Sequence, residues 1–137
     1  MRRNNDLALI RADVLTARYI LPIELTNGNE GRTKHFSASA KRRKQYATTL
    51  GWMFKNFPTY QVPVTVAVVR ILGPKEKPWD SSSGLRGNWK EIEDALVASG
   101  VFLNDSPQYI EETRFFQDDE QRQNGPCIEL LITKRGY

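Results

Sequence analysis

The chain has one cysteine, Cys127, and one histidine, His35, in 137 residues. A single thiol excludes an internal disulfide framework and a cysteine-rich zinc site. A lone imidazole makes a His-based metal site or a Ser-His-Asp triad hard to build. Cys127 falls in an apolar run, which predicts a buried and inert thiol, and His35 reads as a surface or nucleic-acid-facing side chain. No apolar run approaches the roughly 18 residues of a membrane span, and the start of the chain lacks the pattern of a secretory signal. A soluble, cytoplasmic protein is the expectation. Glycine-rich phosphate motifs and internal repeats are missing as well.

Negative charge is missing from a whole segment. From Gly31 to Lys75 there is no Asp or Glu, while Arg32, Lys34, Lys41, Arg42, Arg43, Lys44, Lys55, Arg70 and Lys75 all fall there. The net charge of +4 says little alone. Its segregation is the footprint expected of a protein that neutralises phosphates and gains affinity by releasing counterions. A solvated helix face would produce the same pattern. Lys41 to Lys44 fall in the first turns of a predicted helix, where positive charge opposes the macrodipole. A polyanionic partner would relieve that conflict, and Arg2 and Arg3 could add contacts.

What is present suits one globular domain, with 39% hydrophobic and 26% charged residues. Residues 1–16 show no clean period and are expected to form an N-terminal arm before a domain at 17–137. Ala17 to Leu25, with Pro22, reads as an edge strand, and Thr26 to Gly31 as a turn cluster. Ser37 is a candidate N-cap for a helix from Ala38 to about Phe57, with Tyr46, Leu50, Met53, Phe54 and Phe57 as its buried stripe. Val62 to Leu72 is β-branched and nearly all apolar, which predicts a central strand. Tyr109 to Phe116 and Pro126 to Lys134 read as two strands joined as a long hairpin through Asn124-Gly125. The expected fold is α+β, a mixed sheet of about four strands with two main helices.

The stretch Trp79 to Tyr109 organises the rest. It opens with a hydroxyl-rich loop headed by Asp80, followed by a helix that Asn88 and Glu91 would cap reciprocally and Gly100 would stop. A second turn carries Asn104, Asp105, Ser106 and Pro107. Trp89, Ile92 and Leu96 share one helix face; Lys90 and Asp94 share the other and can pair. Trp52, Trp79 and Trp89 read first as core, with Trp79 the best placed to stack a base.

Leu85, Gly87, Lys90, Asp94-Ala95-Leu96, Gly100-Val101 and Asn104-Asp105 together resemble the signature of the RusA-type Holliday junction resolvases. Gly31-Arg32-Thr33, Ser37 and Ala40-Lys41 stand where that family has its upstream element, and the likeness runs from about residue 17 to 135. Ser81, Ser83 and Gly84 stand where the family has two loop aspartates and an asparagine, with Asp80 one residue out of place. The resemblance implies a Mg²⁺-dependent, structure-selective endonuclease on branched DNA, with Asp80 and Asp105 as catalytic and metal-binding acids. It also implies a homodimer presenting two equivalent sites to a four-way junction. Lys90, Arg32, Lys34, Lys41, Arg42, Arg43, Lys44 and Arg86 would contact DNA.

The alternative it leaves is a protein that binds branched DNA without cutting it. The same residues also have plainer uses: Asp80 as a turn residue, Asp105-Ser106-Pro107 as a turn trio, Lys90 and Asp94 as a helix ion pair. A structural or protein-interaction domain would need no more than these.

Overall fold

The computed structural model describes residues 2–26, 36–79 and 87–134. In chain order the elements are α1 (Arg2–Ala12), β1 (Thr16–Leu21), α2 (Phe36–Met53), β2 (Val64–Ile71), α3 (Trp89–Ala98), β3 (Ile110–Asp118) and β4 (Cys127–Lys134). A short 3-10 turn, Arg122–Asn124, precedes β4. The fold is α+β with a mixed four-stranded sheet in the order β1-β4-β2-β3. No helix among the described residues is long and apolar enough to cross a membrane.

β2 is the central strand that its composition predicts: it pairs with β3 in parallel and with β4 antiparallel. A parallel pair needs a crossover, and α3 lies in the one between β2 and β3. β1 is an edge strand that stops just before Pro22 and pairs only with β4. The expected β3-β4 hairpin does not form. The first six residues of β4 are all buried, so it inserts between β1 and β2, whereas β3, exposed at Glu111 and Glu112, takes the opposite edge.

The alternation of β2 and β4 divides the interior into two layers. Val64, Val66, Val68, Ile128, Leu130 and Ile132 face α2 and α3, meeting Tyr46, Leu50, Phe54, Trp89, Ile92 and Leu96 in the main core. Ala67, Val69, Ile71, Cys127 and Leu131 face the other way, against Leu7 and Ile10 of α1. The stretch expected as an arm is thus a helix that covers the second face. Arg11 fastens it, donating hydrogen bonds to Asp118 Oδ2 at 2.7 Å and Glu129 Oε1 at 2.6 Å, and Arg114 donates to Asp6 at 2.9 Å. Cys127 is buried, and burial pushes its thiol pKa up.

Three local expectations change. α2 already includes Ser37 and ends at Met53, short of Phe57, because Asn56 takes a left-handed turn at φ 61° that asparagine tolerates. Met53 lies on the surface rather than in the buried stripe. Trp52, expected in the core, is 74% exposed, because it falls on the opposite side of the helix from Tyr46, Leu50 and Phe54.

Candidate nucleic-acid interface

The start of α3 is fixed by contacts from two other parts of the chain. Gly87 adopts φ +48°, and a Cβ there would come within 2.1 Å of the Thr26 carbonyl oxygen, so only glycine fits. The Asn88 backbone N–H donates to the Thr26 carbonyl at 3.0 Å, and the Thr26 N–H donates back to Asn88 Oδ1 at 3.0 Å. The Asn88 amide also donates to the Tyr46 hydroxyl of α2. Asn88 therefore ties α3 to its neighbours and makes no side-chain capping bond to its own helix. The expected reciprocal cap is replaced by this cross-link, because Glu91 is engaged elsewhere. Gly100, at φ +86°, ends α3 as expected, with the Val101 N–H returning to the Leu96 carbonyl at 3.0 Å.

Glu91 is the partner of α2. Arg42 Nε and Nη2 each donate to its carboxylate at 3.0 Å, and the Ser39 hydroxyl adds a third bond at 3.3 Å. These hydrogen bonds, Arg42 first, outweigh desolvation and hold the Glu91 carboxyl below the usual range. The fork geometry of guanidinium on carboxylate suits a fixed joint. Arg42, expected to face phosphate, is thus committed to the joint between the two helices. Its neighbours Lys41, Arg43 and Lys44 are exposed, and Lys41 and Lys44 have no side-chain partner among the described residues.

One residue before Glu91, Lys90 extends to the second turn. Its ammonium donates a short hydrogen bond to Asp105 Oδ2, lies 3.2 Å from Asp94 Oδ1, and lies 3.6 Å from Glu93 Oε1. Asp105 is held at the apex of its turn, where the Ser106 N–H donates to Asn104 Oδ1 at 2.9 Å. The Asp105 hydrogen bond first, then that of Asp94, raises the Lys90 pKa, and Lys90 in turn lowers that of Asp105. Lys90 and Asp105, to which the resemblance gives separate roles as DNA contact and metal-binding acid, therefore meet across fifteen positions of sequence. Lys90 and Asp94 also pair as their spacing predicts.

Glu93 was not anticipated. It lines a cleft of about 280 Å³ with Gly87, Trp89, Lys90 and Thr113. Its carboxyl is pushed up, chiefly by burial. Trp89 Nε1 donates to it at 3.3 Å, and the tryptophan and glutamate four apart on a helix were the legible sign of that contact. Trp79, read first as core and as the best placed of the three to stack a base, packs against the main core, stacks on the buried Arg70 guanidinium at 4.0 Å and is pinned at N–H and carbonyl by Gln117.

The resemblance implies carboxylates around Mg²⁺. Among the described residues no group of three or more His, Cys, Asp or Glu side chains is arranged to hold a metal ion. The cation that Asp105, Asp94 and Glu93 already share is the Lys90 ammonium. These residues alone do not fit a magnesium site, which needs hard oxygen ligands in near-octahedral array. Asp80, Arg32, Lys34, His35 and Arg86 lie outside the described residues. Neither a scan against protein-family models nor a search of curated proteins finds a match for this chain.

Proposed function

We propose that the protein is a RusA-like domain that binds branched DNA, a four-way junction above all. The supporting observation is the cationic start of α2, with Lys41, Arg43 and Lys44 exposed and the Arg42–Glu91 joint one residue from Lys90. No acid interrupts α2, so the helix face offers phosphates an unopposed positive surface. Lys90 shares its charge with the exposed acids Asp94 and Asp105, from which a phosphate could take it over at little cost. A homodimer would present two such surfaces to the two-fold symmetry of a junction.

A second reading, Mg²⁺-dependent cleavage, rests on the resemblance, which gives Asp105 as a metal-binding acid. Cutting requires a further acid beside Asp105, and Asp80 is the one the resemblance offers.

Incubating a labelled four-way junction with the protein at low salt, with and without Mg²⁺, tests both. The binder gives a retarded complex without the metal. Its affinity falls steeply with salt, with a log-log slope of about −3.6 if Lys41, Arg43, Lys44 and Lys90 each neutralise one phosphate. Paired nicks appearing with Mg²⁺ would move the protein to the second reading, and Asp105→Asn should then abolish cutting while sparing binding. No complex at low salt would overturn both and leave a structural or protein-interaction domain.

A further inference from the structure

The outward face of α2 adds to Lys41 and Lys44 an exposed tryptophan, Trp52, that the proposed junction contacts do not use. Lys41, Lys44, Thr48, Trp52 and Lys55 are spaced by three and four residues, so they line one side of the helix and the turn that ends it. From Lys41 to Trp52 the stripe runs about 17 Å, the length of roughly five stacked nucleotides. The indole of Trp52 is 74% exposed, and the Lys55 ammonium lies 5.7 Å from its ring centroid. Beside it Gly51 leaves a step: a Cβ there would meet nothing within 4 Å. Packing therefore does not demand a glycine, although glycine disfavours a helix interior. The step opens a shallow hollow of about 220 Å³ lined by Thr48, Gly51, Trp52 and Lys55.

The exposed indole has cations on either side of it, and every charge along its stripe is positive. We infer that this face binds single-stranded DNA, with an unpaired base stacked on Trp52 over the Gly51 step and the adjoining phosphates on Lys41, Lys44 and Lys55. A π-face flanked by cations is what an unpaired base and its backbone require, and it tolerates any base. A duplex offers no free base face, so the stripe distinguishes opened from paired strands. This deepens the proposed function, on which it rests for the class of ligand, by naming the strand state that the outer face takes.

The test titrates the full chain with a twelve-residue oligothymidine and reads tryptophan emission and affinity. Trp89 is buried and Trp79 is stacked on Arg70, so a change in emission reports Trp52. The expected result is quenching by oligothymidine and none by a duplex with as many phosphates. Trp52→Ala should bind the oligomer about tenfold more weakly, within the range that base stacking supplies. Trp52→Phe should bind nearly as the parent does, with the quench gone. Equal affinity of the parent and Trp52→Ala for oligothymidine would overturn the inference, as would a four-way junction bound without any oligothymidine binding; the proposed function survives either result. Failure to bind both nucleic acids would sink the two readings together. A blue shift with phosphatidylglycerol vesicles and no response to oligothymidine would assign the face to a membrane surface and overturn the inference.

Discussion

Two groups of charged side chains in this protein look alike on paper and differ in everything that matters for their role. On the α1 side of the sheet, Glu129 is 0% exposed and Asp118 6%, and Arg11 joins them while Arg18 holds the second oxygen of Glu129. At the start of α3, Lys90 gathers Glu93, Asp94 and Asp105, with 67% of the lysine side chain and 41% of the aspartate side chain of the close pair open to solvent. Removing one partner from the first group strands a charge away from water. In the second, water replaces what Asp94 and Asp105 lose. The buried group holds the fold, and the exposed one is available to a ligand.

Arg11→Ala should cut most deeply, because it leaves Glu129 with one partner and Asp118 without its guanidinium. We expect a loss of about 3 kcal/mol in urea unfolding. A loss under about 1 kcal/mol would show that α1 is not fastened by these pairs. Gly87→Ala should cost about 2 kcal/mol, since it forces a side chain into left-handed backbone and onto the Thr26 carbonyl. That change disturbs the seat of Lys90 rather than its charge, so junction binding should weaken with stability.

Acid separates the two groups next. Burial raises the pKa of Asp118, but hydrogen bonds from Arg11, the Glu120 N–H and Gln121 outweigh it and hold the carboxyl below the usual 3.8. A lowered folded pKa gives stability that is complete above pH 3.8 and is lost as pH falls below it. Asp118→Asn should flatten that slope in acid unfolding. Gly51→Ala should stabilise by roughly 0.5 kcal/mol, as the added methyl meets only open space. Asp105→Asn should leave the urea midpoint where it was, because the lost pair is exposed.

Much of the sheet was legible because composition reports burial directly. The β-branched run at 62–72 requires cover on both faces, and β2 has it. The Asn124-Gly125 turn signal misled, since a local turn says nothing of which strand comes alongside. That is set by the six buried positions of β4 and the exposed ones of β3. α1 was illegible for a related reason. Of its described side chains Leu7 and Ile10 pack on the sheet, and the partners of Arg11 lie 107 and 118 positions away, beyond any periodic pattern. At the candidate site, spacing foretold Lys90 with Asp94, whereas the contact of Lys90 with Asp105, fifteen positions on, was not foreseen. The commitment of Arg42 to Glu91 and the surface position of Trp52 depend on how α2 is rolled against its neighbours. Tyr46, Leu50 and Phe54 fix that roll, and with it the placement of Trp52 opposite them.

The most direct measurement compares the junction affinity of the parent with that of Lys90→Ala at two salt concentrations. If the exposed group serves DNA, the variant binds more weakly at low salt, its salt slope is shallower by about one, and its urea midpoint is unchanged. Equal affinity and equal slope would mean that Lys90 meets no phosphate, and the exposed cluster would then be surface decoration on a domain whose ligand lies elsewhere.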